Sequence, residues 1–113
     1  MGTFTVVVRL ANGQKIEVLV GTGATFTELP SRLLETLGVS ASFERDFEIG
    51  DGTMLRRRVG YVEIEIEGRK APVPVAFADD GERPILGATA LEILDFSVDP
   101  QKRRLVPAPA LDV

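Results

Sequence analysis

Turn signals break this chain at intervals too short for most folds other than hairpin-built β structure. Gly, Pro and Asn recur about every 8–12 residues between runs rich in Val, Ile, Thr and Phe. A parallel sheet would need crossovers of about a dozen residues or more between its strands, and only two short segments have helical character. The spacing predicts a mostly β domain, closed or sandwich-like, with about eight short strands and two short helices. The 113 residues fit a single domain, residues 1–113. No linker, low-complexity stretch or strong internal repeat divides them.

The elements follow from local pattern. Thr3 to Leu10 is β-branched and apolar, a strand, and Ala11-Asn12-Gly13-Gln14 carries the Asn-Gly pair that favours a type I′ hairpin turn. Lys15 to Val20 alternates and ends apolar. Pro30 to Gly38 predicts a short helix, with Pro30 at the first helical position and Gly38 just past the end. Its Leu33, Leu34 and Leu37 share one face with Leu29. Ser42 to Ile49 and Thr53 to Val59 flank Gly50-Asp51-Gly52, a second hairpin whose glycine-rich tip can flex. Tyr61 to Glu67 sets Val62, Ile64 and Ile66 against Glu63, Glu65 and Glu67, a strand with one buried face. Ala71 to Phe77 contains Pro72 and Pro74, which predict an edge or bulged strand. Asp79 to Arg83 is a polar loop, Pro84-Ile85-Leu86-Gly87 a short strand, and Ala88 to Leu94 a second short helix. Phe96 to Val98 and Leu105 to Val106 make a final hairpin, and Pro107 to Ala110 is an extended tail.

Composition narrows the chemistry. There is no Cys, which excludes thiol nucleophiles, thiolate metal sites and disulfides. There is no His, which excludes Ser-His-Asp and Cys-His catalysis and argues against a catalytic zinc site. Acid–base work falls to Asp, Glu, Lys or Tyr61. The net charge of -4 argues against nucleic acid as a partner. The two basic clusters, Arg56-Arg57-Arg58 and Lys102-Arg103-Arg104, fit solvated strand or turn residues. No basic leader precedes an apolar run, and no apolar run approaches about 20 residues. The expectation is a cytoplasmic protein with no membrane partner, no metal and no cofactor.

The stretch Leu19 to Pro30, LVGTGATFTELP, concentrates what signal there is. Gly21-Thr22-Gly23 follows a strand and precedes a helix. It fits a tight turn, since Gly supplies backbone conformations that other residues avoid. It fits a phosphate cradle less well: position 26 is Phe where a dinucleotide-binding loop has its third Gly, and no P-loop Lys follows.

A third reading comes from resemblance. Val20-Gly21-Thr22-Gly23-Ala24-Thr25, Leu29-Pro30 with Leu37-Gly38-Val39, Gly50-Asp51-Gly52-Thr53 and Ile85-Leu86-Gly87 stand in an order and spacing that resemble the retropepsin-like aspartic peptidases, in particular the small single-domain bacterial members. The likeness spans nearly the whole chain. It implies a closed acid-protease-type β-barrel that works as a two-fold homodimer on an extended peptide. In that family the loop is Asp-Thr-Gly and the Asp is catalytic; the resemblance places Gly21 at that position. It implies that Thr22 hydrogen-bonds across the dimer, that Gly23 and Ala24 complete the loop, and that Gly50, Asp51, Gly52 and Thr53 form a flap over substrate. Ile85, Leu86 and Gly87 would pack beneath the loop.

The implied function is that of an aspartic endopeptidase-type domain, inactive as it stands because Gly21 has no carboxylate to hold or deliver a proton. The alternative is a non-catalytic peptide-binding or dimerisation module of the same fold. Glu28, Asp51, Asp79 and Asp80 are carboxylates that could stand in by type. None occupies the loop position that would face its symmetry mate.

Overall fold

The computed structural model describes residues 3–108, and within them nine strands and two helices are formed. Strand β1 (Thr5–Leu10) pairs antiparallel with β2 (Lys15–Val20). Their connection is not the expected type I′ turn. Only Gly13 has positive φ there, +86°, and the Leu10 N–H donates to the Gln14 carbonyl across a three-residue loop. The Asn12 side-chain oxygen accepts the Gln14 N–H at 2.9 Å, so Asn12 shapes the turn through its side chain and not through a left-handed backbone.

Past the Gly-Thr-Gly loop comes a strand that the pattern does not announce, β3 (Thr27–Pro30), four residues ending in Pro. It leads into helix α1 (Ser31–Thr36), which Pro30 precedes as cap residue, one position earlier than expected. Gly38 closes the helix at φ +76°. The Val39 N–H reaches the Leu34 carbonyl and the Gly38 N–H the Glu35 carbonyl, a closure that a left-handed glycine makes possible.

Strands β4 (Phe43–Ile49) and β5 (Thr53–Ile66) form the long hairpin. The expected break at Gly60 is absent, and β5 is one strand of 14 residues. Gly60 is needed there for space: a Cβ would lie 2.8 Å from the Ser40 carbonyl oxygen and 2.9 Å from Val39. Strand β6 (Arg69–Ala78) is another correction, because it is central and not an edge. It pairs antiparallel with β5 from Arg69 to Ala76 and parallel with β3 from Val75 onward. Pro72 and Pro74 fall before Val75, where one flank of the strand needs no partner. Strand β7 (Ile85–Leu86), helix α2 (Ala88–Ile93) and the β8–β9 hairpin (Phe96–Asp99, Arg104–Pro107) complete the chain. Of the expected extended tail, Pro107 ends β9, whereas Pro109 and Ala110 lie outside the described residues.

The main sheet runs β1-β2-β7-β3-β6-β5-β4, and β1 also pairs with β5 at Leu10 and Ile64. Strand β4 therefore reaches outward from this arrangement on its partner β5. The core gathers the inward positions, among them Val8, Val18, Leu29, Leu34, Ile64, Ile66, Val75 and Leu86. The alternation in β5 resolves as expected: Val62, Ile64 and Ile66 are buried, and Tyr61 and Glu63 are exposed. Each such aliphatic side chain contributes about 1.5–3 kcal/mol on burial.

Candidate functional site

The Gly21 loop is held by the segment that lies beneath it. Parallel pairing of β2 with β7 sets Leu19 beside Ile85 and Val20 beside Leu86. The Gly21 N–H then donates to the Leu86 carbonyl at 3.0 Å. Further along, the Ala88 N–H donates to the Ala24 carbonyl at 2.8 Å and the Thr89 N–H to the Thr25 carbonyl at 3.0 Å. The Ala24 N–H donates back to the Gly21 carbonyl at 3.0 Å, which tightens the turn. Gly21 and Ala24 are half-buried, and Thr22 and Gly23 stand exposed at the tip. Sequence positions about sixty residues apart thus form one unit, Gly21 to Ala24 over Ile85 to Gly87.

Two contacts in this unit are tight. Gly87 lies so close to the loop that a Cβ on it would sit 2.4 Å from the Phe26 carbonyl carbon. The Gly87 N–H donates to the hydroxyl oxygen of Thr27, a buried side chain, at 3.0 Å. Thr27→Val keeps the shape and removes this acceptor, leaving a buried N–H without a partner. The expected cost is about 1–3 kcal/mol, read as a lower urea midpoint with unchanged slope. The second contact is at position 21, where a Cβ would lie 2.8 Å from Ile85 Cγ2.

The glycine-tipped hairpin leans over one side of the loop. Gly50 and Gly52 have φ of +22° and +88°. Asp51 is exposed at the tip, where its carboxylate accepts the Thr53 N–H at 2.9 Å. Hydrogen bonds from Thr53 hold the Asp51 pKa below the usual carboxylate range. Asp51 thus shapes the tip, and Thr53 is exposed beside it. On β4, the Phe47 ring meets Phe26 edge-on, with centroids 5.7 Å apart and planes at 68°. The Arg45 guanidinium lies 5.4 Å from the centre of the same Phe26 ring. A cavity of about 480 Å³ is left between the Gly23–Phe26 loop and β4, with Gly50 at its edge and Glu28, Arg57 and Ala76 among its lining residues.

Sequence reasoning misplaces Arg57. It is expected with Arg56 and Arg58 in solvent, but it is 8% exposed. Its guanidinium donates to the Phe77 carbonyl at 3.1 Å and to the Glu82 carboxylate at 2.8 Å. Position 57 belongs to the inward set of β5, with Val59, whereas Arg56 and Arg58 are exposed. Arg56 pairs with Glu44 and Asp46. The remaining basic cluster, Lys102, Arg103 and Arg104, is exposed as expected.

Glu28 enters the sequence reading only as a substitute acid. It is a half-buried cavity residue on β3. Burial pushes its pKa above the ordinary 4.5; the nearby Arg57 charge opposes that rise and Glu82 adds to it. A carboxyl with a raised folded pKa favours folding while protonated, and that contribution is lost as pH rises through the folded value. Glu28→Gln is therefore expected to raise the melting temperature at pH 7, with the gap closing toward about pH 4. Thermal melts across that range measure it. Asp79 and Asp80 are exposed, and Asp80 pairs with Arg32 at 3.4 Å. Among the described residues, no group of three or more acidic side chains is placed to hold a metal ion. No helix there is long and apolar enough to cross a membrane.

A mostly β domain with its Thr-Gly-Ala loop strapped to a hydrophobic-hydrophobic-Gly segment defines an aspartic-protease-type fold. The chain belongs to the family of gag-polyprotein putative aspartyl proteases, which matches residues 8–92. Among solved structures, it is similar to the solution structure of Simian Foamy Virus (mac) protease. That match has a TM-score of 0.62 at 20% identity and covers 80% of this chain and 94% of that one. At that identity the likeness shows the fold alone. No curated protein matches the sequence.

Proposed function

We propose that the chain is an aspartic endopeptidase-type domain that pairs about a two-fold axis, holds an extended peptide between the Gly21 loop and the Gly50–Gly52 hairpin, and does not hydrolyse it. Position 21 carries this reading. The loop is strapped in place by Leu86, Ala88 and Thr89, yet the residue at its base has no side chain.

Aspartic peptidases use two facing carboxylates that share one proton, because both cannot readily be ionised at short range. One takes a proton from water while the other donates to the substrate carbonyl. The pair titrates as a unit. A chain with one such loop supplies half of the pair, and a two-fold dimer supplies the rest. Gly21 on the axis removes both halves at once. Among the described residues, none of the carboxylates that could stand in by type lies in the loop: Asp51 is engaged in the hairpin tip, Asp79 and Asp80 lie in an exposed loop, and Glu28 faces the cavity beside Arg57.

A specific observation favours the second reading, a peptide-holding module in its own right. Ile85 Cγ2 lies 2.8 Å from where a Cβ at position 21 would be, so Ile85 as it stands suits glycine there and would have to shift for any other residue. The roles of Thr22 and Gly23 as the contacts between the two loops, and of Gly50, Asp51, Gly52 and Thr53 as a mobile cover, belong to the same proposal. The test is titration of the chain with short blocked apolar peptides, followed by chromatography of the same mixtures. Saturable binding with intact peptides is expected. Pepstatin-sensitive cleavage by the Gly21 chain overturns inactivity, and absence of binding overturns the peptide cleft.

A further inference from the structure

The cavity beside the loop contains a negative charge that the fold does not neutralise. Alternation along β3 buries Thr27 and Leu29 and leaves Glu28 half-buried on the opposite face. Its backbone is fixed on both sides, opposite Ala76 of β6 and Ile85 of β7. Its carboxylate takes part in no hydrogen bond or ion pair among the described residues. The cation whose charge acts on it, Arg57, is engaged by the Phe77 carbonyl and the Glu82 carboxylate.

The other charged residues bordering this space come from β4. Asp46 is paired with Arg56 at 3.1 Å. Glu48 is in no ion pair among the described residues. Arg45 lies over the Phe26 ring. Arg45 and Phe47 share the face of β4 that meets Phe26, whereas Asp46 and Glu48 alternate to the other face with Arg56 and the hairpin tip. Glu28 is left as the carboxylate of this cavity without an ionic partner among the described residues. The cavity wall is aromatic, from Phe26 and Phe47. Phe26 already carries one guanidinium on its face, so this wall is of a kind that accepts cations.

We infer that this cavity is a specificity pocket of the peptide cleft and takes a Lys or Arg side chain of the bound peptide, with Glu28 as its counter-charge. The inference rests on the peptide-binding reading above. An extended peptide passing between the Gly23–Phe26 loop and β4 would place a side chain over the cavity mouth. A basic one gains a charge-assisted hydrogen bond from a partly desolvated carboxylate, and its aliphatic stem lies along the phenyl rings. An acidic side chain there would meet Glu28.

The test uses fluorescent blocked peptides that differ at one position, carrying Arg, norleucine or Glu in turn, titrated into the chain and its Glu28→Gln and Glu28→Lys variants. For the unaltered chain at pH 7, the Arg peptide is expected to bind about tenfold or more tightly than its norleucine counterpart. That preference should weaken on acidification as Glu28 takes up a proton. In Glu28→Gln the ratio of Arg-peptide to norleucine-peptide affinity should fall to about one. Glu28→Lys should prefer Glu. Equal binding of the Arg and norleucine peptides, or an Arg preference that survives Glu28→Gln, overturns the pocket while leaving the peptide cleft standing. Absence of binding by every peptide overturns both.

Discussion

Gly21→Asp is expected to cleave peptides, with a gain of about 10³-fold or more over the unaltered chain. The size follows from the cost of removing members of a catalytic unit in other hydrolases, which reaches several orders of magnitude. On the proposed two-fold pairing, the substitution restores two carboxylates at once, one from each protomer. Cleavage should be pepstatin-sensitive and fastest where the pair holds a single proton, from acidic to neutral pH. The loop that must present the carboxylate is already bound to Leu86, Ala88 and Thr89. The obstacle is Ile85, whose Cγ2 lies 2.8 Å from the new Cβ. Relief by rotating Ile85 is expected to cost about 1–3 kcal/mol in stability. Trimming Ile85 to Ala should therefore cost less in the Gly21→Asp variant than in the unaltered chain, with a coupling of about 0.5–3 kcal/mol in a double-mutant cycle. A folded, dimeric Gly21→Asp protein without peptidase activity would sink the assignment of position 21.

Gly87→Ala is expected to have the largest effect on stability. Gly87 has φ -91° and ψ 170°, a conformation open to any residue, so space alone decides the outcome. A Cβ would lie 2.4 Å from the Phe26 carbonyl carbon, 2.6 Å from its oxygen and 2.8 Å from the Thr27 nitrogen. All three atoms are backbone, and no rotamer change relieves them. Separation would also stretch the Gly87 to Thr27 hydrogen bond and pull the loop from α2. The expected loss exceeds about 3 kcal/mol, against a total stability of about 5–15 kcal/mol for a domain. Urea and thermal melts should show a large drop or no cooperative transition. Gly23→Ala is the internal control. Nothing lies within 4 Å of a Cβ there and φ is not positive. Its effect on the protomer should stay within about 0.5 kcal/mol, so a larger weakening would support the proposed contact between two such loops.

Much of this is legible in the sequence where one physical signal dominates. Strict alternation sets the faces of β5, and Gly38 marks the end of α1 because only a left-handed residue closes that helix. The juxtaposition of Gly21 with Leu86 is suggested by a resemblance, since no local pattern links residues so far apart. What sequence reasoning misses depends on tertiary context. Strand β3 is short and ends in Pro, and its pairing with β6 and β7 comes from elements later in the chain. Pro72 and Pro74 suggest an edge, but they fall where β6 has one neighbour. Arg57 looks like one member of a solvated triplet. Only the parity of β5 could have pointed it inward, and only the fold brings Glu82 and the Phe77 carbonyl to meet it. Glu28 sits between the loop and α1 with nothing in its flanking residues to mark a cavity.

The most direct test of a two-fold aspartic-protease-type domain with an empty catalytic position is a crystal structure of the unaltered chain with its symmetry mates. The expected result is a dimer in which the two Gly21 residues face each other across the axis, with Thr22 and Gly23 of both protomers at the contact. A dimer whose axis lies elsewhere, with the two Gly21 loops apart and each open to solvent, would contradict it.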